Sequence, residues 1–186
     1  SIDPLREPME TQVFLGKRST RVTRDANGSI QMEKHPYLHL STPLLFAGMS
    51  LGALSYEAHE SLLQAAVSFG TYYNCGEGGL MQHFYEYKDH IIVQIASGRF
   101  GVSQSYINHA AALEIKIGQG AKPGIGGHLP SRKNTALISE TRMIEEGSEA
   151  ISPAPHHDIY SIEDLKQLVD SLKETSGYSK PIIVKV

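Results

Sequence analysis

The chain has 186 residues, with 17 basic and 20 acidic side chains, a formal charge of −3 and a single cysteine. This charge balance lacks the lysine and arginine excess of nucleic-acid-binding domains, and one cysteine excludes a disulfide framework or an iron–sulfur centre built from this chain alone. No apolar run approaches the roughly 20 residues that span a bilayer, and no signal-peptide pattern opens the chain. We therefore expect a cytoplasmic globular protein without nucleic-acid or membrane partners.

Residues 1–42 are polar, and we expect them to form an N-terminal extension that carries a β-hairpin. Two short segments, Arg21–Arg24 and Ser29–Met32, flank the sequence Asp25-Ala26-Asn27-Gly28. An Asn-Gly pair readily supplies the two positive φ values of a tight hairpin turn.

From Pro43 onward, strand-like and helix-like segments alternate, which predicts an α/β fold with a parallel sheet. The expected strands are residues 44–47, 71–75, 91–96, 113–117 and 181–186. The expected helices are residues 55–69, 104–112 and 161–175.

Both long helices have predicted ends and faces. Ser55 and Ser161 are expected caps, the latter in a capping box with Asp164, and Gly70 fits the left-handed position after the first helix. Helical spacing predicts a buried face formed by Ala58, Leu62, Ala65, Ala66 and Phe69 in the first helix, and by Ile162, Leu165, Leu168, Val169 and Leu172 in the last. Residues 118–160 show no clear period, and such long irregular segments are usually functional or disordered.

Glycine-containing turns follow three of the predicted strands, at residues 48–50, 76–79 and 97–99. In parallel α/β folds the carboxyl ends of the strands form the binding face, and glycine lets a ligand approach the backbone. The alternative is that these glycines only turn the chain. Nicotinamide and P-loop motifs are absent from the sequence.

Three further motifs leave alternatives open. Lys116, Gln119 and Lys122 recur at spacing three, either as an anion site or as solvated side chains. His156, His157 and Asp158 suggest a metal, but adjacent side chains diverge, which favours a loop anchored by polar contacts and no metal site. Cys75 is either a buried small hydrophobe or an exposed nucleophile.

Five segments resemble, in the same order, the FMN-binding synthase domain of glutamate synthases. The two long ones are highly specific, and the resemblance runs from Pro43 to Val186. The segments are Gly48–Ser55, Gly76–Gly79, Ala96–Gly101, Lys116–Pro130 and Ile151–Leu165.

The resemblance implies a (β/α)8 TIM barrel that binds FMN at its carboxyl-end mouth. The implied reaction is reductive amination of 2-oxoglutarate with ammonia, through 2-iminoglutarate, to L-glutamate. Such a barrel takes about 250 residues, so residues 43–186 would form its N-terminal half. Partners implied by the resemblance are a glutaminase domain or subunit and an electron donor, either ferredoxin or an NAD(P)H-oxidising subunit. An iron–sulfur cluster would come from segments or chains not present here. The resemblance leaves the oligomeric state open.

The resemblance also assigns site residues. Cofactor contacts fall on Met49, Ser50, Gln94, Lys116 and Lys185, and the catalytic residues are Glu77 and Lys116. The 2-oxoglutarate contacts are Glu77, Lys116, Gln119, Lys122 and Arg142, whose cations suit a dicarboxylate.

The sequence departs from the family pattern at four positions. Ile125 replaces a typical glutamate, His128 replaces a glutamine or glutamate, Ala154 interrupts a proline run, and Cys75 replaces a small polar residue. Two alternatives follow: a related FMN enzyme with another substrate, such as an N-methylglutamate-forming synthase, or a non-catalytic fragment that needs a partner chain to complete the barrel.

Overall fold

This computed structural model describes residues 12–17, 22–32 and 35–186. Its first strands form two antiparallel pairs, β1 (Val13–Gly16) with β4 (Tyr37–Leu40) and β2 (Val22–Arg24) with β3 (Ile30–Met32). The second pair confirms the predicted hairpin from Val22 onward. Gly28 adopts a φ of 80° in its turn, but Asn27 has no positive φ, so the predicted turn with two positive φ values is wrong. Arg21, the first residue of the predicted hairpin, lies outside the described residues. The pairing of β1 with β4 was not predicted.

Helix α1 (Tyr56–Phe69) has both predicted ends. The Ser55 side chain accepts a hydrogen bond from the Ala58 amide at 3.3 Å, and Gly70 has a φ of 65°. Its buried face is rotated from the prediction, because His59, Leu63 and Ala66 face the core. The placement of Phe69 in the core was wrong, since its side chain is 71% exposed.

The next strands are β5 (Tyr73–Asn74), β6 (Ile91–Ile95) and β7 (Ala112–Lys116), which pair in parallel in that order. A 3-10 helix, Gln82–His90, precedes β6 and was not predicted. Helix α2 (Gln104–Asn108) connects β6 to β7 and is shorter than expected.

The strand predicted at residues 44–47 does not form. The Phe46 amide donates to the Tyr72 carbonyl over a long 3.4 Å, while Leu44 and Leu45 are 62% and 43% exposed. A strand needs regular backbone pairing, and among the described residues nothing pairs with the other side of this segment.

Residues 118–160 hold short elements that have no periodic signal. Strands β8 (His128–Leu129) and β9 (Ala150–Ile151) pair antiparallel, a 3-10 turn covers Ser131–Lys133, and helix α3 spans Ala136–Arg142. None of these elements was predicted from the sequence.

Helix α4 (Ile162–Thr175) and strand β10 (Ile182–Lys185) complete the chain, and β10 pairs in parallel with β7. The sheet order is β10-β7-β6-β5, so the α/β parallel prediction is confirmed. The Ser161 hydroxyl caps the Asp164 amide at 3.2 Å, but the Asp164 carboxylate accepts from the Tyr160 amide instead of completing the box on Ser161. Leu172 is buried as predicted, whereas Ile162 is 80% exposed.

The β1–β4 ribbon covers the amino end of the sheet. Leu38 of β4 is 2% exposed and packs with Ile92 and Ala112, at the starts of β6 and β7, and with Ile183 of β10. The carboxyl end is thereby left as the open end of the sheet. Among the described residues, no helix has the length and apolar content that crossing a bilayer requires.

Candidate functional site

A cavity of about 510 Å³ opens at the carboxyl ends of β5, β6 and β7. Turns after the strands form its floor, and the 118–160 segment forms its wall. Most of the predicted site residues line it, namely Met49, Ser50, Glu77, Gln94, Lys116, Gln119, Lys122 and Arg142. Parallel strands bring Glu77, Gln94 and Lys116 together because the carboxyl ends of β5, β6 and β7 meet at one edge. The other five residues come from the 49–50 turn, the 118–160 segment and the end of α3.

The glycine turns pack backbone against backbone at this edge. A Cβ on Gly76, which has a φ of 68°, would lie 2.5 Å from the Met49 carbonyl carbon. A Cβ on Gly79 would overlap the Thr141 carbonyl oxygen, and the Gly101 amide donates to the Arg142 carbonyl at 2.9 Å. These turns therefore hold the 49–50 segment and the end of α3, as well as turning the chain.

Three charged side chains meet inside the cavity. The Lys116 ammonium lies 3.5 Å from Glu77 Oε2, and both side chains are less than one-fifth exposed. The Arg142 guanidinium is buried, donates to the Leu51 carbonyl at 3.1 Å and packs over the Phe100 ring. Burial lowers the pKa of Arg142 from its ordinary value, and the nearby Glu77 carboxylate opposes that change.

Two polar atoms of this group remain available. Glu77 Oε1 and Arg142 Nε are buried and find no hydrogen-bond partner among the described residues. A buried group in this state carries a desolvation penalty of about 1–3 kcal/mol, which a polar ligand can relieve. The site thus offers both an acceptor and a donor to a ligand.

A polar layer lies beneath these charges, on the inner face of the sheet. Gln94 Nε2 donates to Glu114 Oε1 at 2.6 Å, and Asn74 Oδ1 accepts from the Gly76 amide at 3.0 Å. Gly48 closes over both side chains, since a Cβ there would lie 2.8 Å from the Asn74 oxygen and the Gln94 nitrogen. The Gln94 amide is consequently held in one place under the cavity.

The loop wall places Gln119 and Lys122 on the cavity with largely exposed side chains. Gly127 is tied to the Ser152 hydroxyl by a 2.9 Å hydrogen bond from its amide. Lys133 also lines the cavity, and no spacing in the sequence pointed to it.

Lys185 is placed differently from the other predicted residues. It pairs in register with Lys116, and its carbonyl accepts from the Ile117 amide at 2.9 Å, but it is not among the residues that line the cavity. Its predicted contact with the cofactor stays a prediction.

The Pro155–Asp158 motif is anchored by polar contacts, as one of its two interpretations predicted. Arg99 Nη2 forms an ion pair with both carboxylate oxygens of Asp158, at 2.6 and 2.7 Å. Arg99 Nη1 donates to His156 Nδ1 at 2.6 Å. Among the described residues, no three histidine, cysteine or acidic side chains group as they would around a metal ion.

Cys75 is 2% exposed, and burial raises the pKa of its thiol to about 11. The buried interpretation of this residue is confirmed, since a thiol in this state is a poor nucleophile.

We expect iodoacetamide at pH 8 to leave Cys75 unmodified in the folded protein and to label it after unfolding in urea. Mass spectrometry of the peptide that contains Cys75 measures this, and equal labelling rates in both states would contradict the burial.

The fold is that of an α/β protein with a polar, charged cavity at the carboxyl edge of a parallel sheet. The family profile described as the conserved region in glutamate synthase matches residues 1–186, so the chain belongs to the glutamate synthase family, whose members are oxidoreductases of amino-acid biosynthesis. The recognition of this family from the sequence is confirmed.

Named relatives agree with this assignment. The archaeal-type glutamate synthase (NADPH) of Thermotoga maritima is 54% identical over the whole chain, and the archaeal glutamate synthase (NADPH) of Methanocaldococcus jannaschii is 55% identical. The glutamate synthase (NADPH) large chain of Azospirillum brasilense is 44% identical over 94% of the chain. The chain spans 38% and 39% of the two archaeal-type proteins and 12% of the large chain.

Proposed function

We propose that this region forms the FMN- and 2-oxoglutarate-binding half of a glutamate synthase, which makes L-glutamate by reductive amination through 2-iminoglutarate. The observation that carries the proposal is the meeting of Glu77, Lys116 and Arg142 in one cavity at the carboxyl edge of a parallel sheet. Membership in the glutamate synthase family supports the same activity.

The sheet is proposed to be half of a (β/α)8 barrel, with residues 43–186 as the barrel portion and residues 1–42 as an extension. The parallel order β10-β7-β6-β5 and the intervening helices fit the first strands of such a barrel.

The cavity fits the ring of FMN on its chemistry. Gln94 offers an amide to the polar edge of a flavin, Met49 and Ser50 offer backbone and hydroxyl groups, and Lys116 offers a cation. The bound flavin would supply hydride transfer to the imine. The close packing of Gly48 on Gln94 fixes the position of that amide, since a Cβ at Gly48 would lie 2.8 Å from the Gln94 nitrogen.

The same cavity fits 2-oxoglutarate. Arg142 and Lys116 would bind carboxylates, and Gln119 and Lys122 would close over the substrate from the loop. Glu77 would hold and move the protons that imine formation and reduction require, because its carboxylate already contacts Lys116 and has one free oxygen.

Other parts of the reaction would come from outside this region. Ammonia would be supplied by a glutaminase domain or subunit, and electrons by ferredoxin or an NAD(P)H-oxidising subunit, as the NADPH in the relatives' names suggests. Any iron–sulfur cluster would likewise be built from other segments or chains.

A second candidate is an N-methylglutamate-forming activity. Ile125 and His128, the two loop departures from the family pattern, both line the cavity, and Ile125 presents an apolar side chain that suits a methyl group. Turnover with methylamine above that with ammonia would favour this candidate. A third is a scaffold that binds no flavin, which a colourless protein after incubation with FMN would favour.

The test uses the intact protein loaded with FMN. We expect oxidised-flavin absorbance that reductant bleaches and that 2-oxoglutarate plus ammonia restores. Glu77→Gln should slow this reoxidation by about 10²–10⁴-fold, the usual contribution of acid–base catalysis, with flavin binding unchanged. The exposed Glu146→Gln is the matched control, and equal rates in both variants would remove Glu77 from the mechanism.

A further inference from the structure

His156 is a buried histidine that the proposed chemistry does not use. It is 3% exposed, and each ring nitrogen has one partner at 2.6 Å, Nδ1 with the Arg99 guanidinium and Nε2 with the Lys116 carbonyl. Arginine can only donate, so Nδ1 accepts and the ring proton must lie on Nε2. His156 therefore donates to the main chain of Lys116.

We propose that His156 is a positioning residue, which holds the end of β7 and thereby places the Lys116 ammonium in the cavity. The importance of this placement rests on the proposed function, in which Lys116 binds substrate and cofactor. One side of this strand end is held by β10, through the Ile117 amide and the Lys185 carbonyl at 2.9 Å. His156 holds the carbonyl that immediately precedes that amide, so the strand end is held from two elements.

Arg99 ties this histidine to the surface. Arg99 has a φ of 53° and donates from Nη1 to the Ala96 carbonyl at 2.6 Å. Its Nη2 atom donates to both carboxylate oxygens of Asp158. The chain of contacts thus runs from Asp158 through Arg99 and His156 to Lys116. It joins the end of β6, the end of β7 and the loop before α4.

The adjacent histidine does not share this role. The His157 side chain is exposed and lies on a separate, smaller cavity with Asp158 and Phe100. The chain turns at His157 and Asp158, so the two neighbouring histidine side chains diverge and only His156 contacts the Lys116 carbonyl.

The network needs a neutral imidazole. Burial lowers the pKa of His156, and the facing Arg99 lowers it further, while the Lys116 carbonyl, Asp158 and Glu77 oppose the shift. A proton on Nδ1 would place N–H against the guanidinium and break that bond. The unfolded chain takes up this proton more readily, so the network loses stability as the pH falls below about 6.5.

Two substitutions test the two hydrogen bonds of the His156 ring one at a time. His156→Gln keeps a donor near the position of Nε2, and His156→Asn keeps an acceptor near the position of Nδ1. In the intact protein, we expect His156→Asn to raise the KM for 2-oxoglutarate by about 10- to 100-fold, as small displacements of a site residue do. His156→Gln should stay within about three-fold of wild type, because it keeps the donor to the Lys116 carbonyl and loses only the contact with Arg99, which does not touch Lys116.

Hydrogen–deuterium exchange provides a readout that does not depend on activity. His156→Asn should speed amide exchange across residues 117–127 strongly, His156→Gln should speed it only to a small extent through the lost contact with Arg99, and the exposed control His157→Asn should leave it unchanged. Equal exchange in the Asn and Gln variants overturns the positioning role. If wild type fails to turn over 2-oxoglutarate, the proposed function fails, while the exchange comparison still decides the role of His156.

A variant at the surface end covers the case in which His156→Asn does not fold. Asp158 is 55% exposed, so Asp158→Asn removes the carboxylate charge without opening the core. It should loosen Arg99 and speed exchange in residues 117–127 to a smaller extent than His156→Asn. Unchanged exchange in Asp158→Asn would overturn the network.

Discussion

Gly79→Ala is expected to lower the free energy of unfolding by about 3 kcal/mol, near the upper end for a single substitution. Two effects add at this position. The backbone has a φ of 91°, which side chains with a Cβ rarely adopt, and the new Cβ would overlap the Thr141 carbonyl oxygen in the last turn of α3. Because that oxygen belongs to the backbone, neither partner can rotate away. Urea denaturation of the intact protein measures the loss.

Gly147→Ala is the matched control for this experiment. Gly147 also has a positive φ, of 75°, but its Cβ would meet nothing within 4 Å, so only the backbone strain of about 1 kcal/mol remains. The difference between the two variants isolates the packing of α3 on the glycine turn. Equal losses would show that the turn does not support α3.

Arg142→Lys is expected to raise the KM for 2-oxoglutarate by about 100-fold while preserving the charge. A guanidinium can bind a carboxylate with two parallel hydrogen bonds, and an ammonium cannot reproduce that geometry. Arg142 is also held by the Leu51 carbonyl and the Phe100 ring. The lysine side chain lacks the planar guanidinium that makes these contacts, so its ammonium would not be held in the same orientation. Steady-state kinetics at saturating ammonia measure the effect.

Arg132→Lys serves as the control, since Arg132 is an exposed arginine in the neighbouring 3-10 turn. Its KM should equal that of wild type. A similar change in both variants would mean that the effect of replacing arginine does not depend on its place in the cavity, and would remove Arg142 from the substrate site.

The parts of the fold with periodic or capping signals were predictable. The hairpin followed from Asn27-Gly28, the ends of α1 followed from Ser55 and Gly70, and the parallel sheet followed from alternation. The rotated face of α1 was not, because His59 is buried through its 2.5 Å hydrogen bond with Tyr73, a contact that hydropathy does not register. Two-residue strands such as β8 and β9 are too short for any period to appear.

The site residues were named through resemblance more than through spacing. The triad of Glu77, Lys116 and Arg142 comes from three distant segments, and the meeting of two strand ends with the end of α3 joins them. Lys133 and the contact of His156 with Lys116 had no signal, since each depends on the path of the 118–160 segment. Strand-end glycines were read as ligand approaches, but Gly79 serves the packing of α3.

The cluster of Leu38, Ile92 and Ala112 at the amino end of the sheet affects how the chain folds. Leu38 belongs to the first strands, and Ile183 packs against the same cluster from the last strand. Bringing together residues so far apart in sequence requires closing a long loop, which slows folding. During synthesis, the packing around Leu38 is complete only after β10, which carries Ile183, has left the ribosome. The ribbon is therefore expected to dock late, after β5, β6 and β7 have paired.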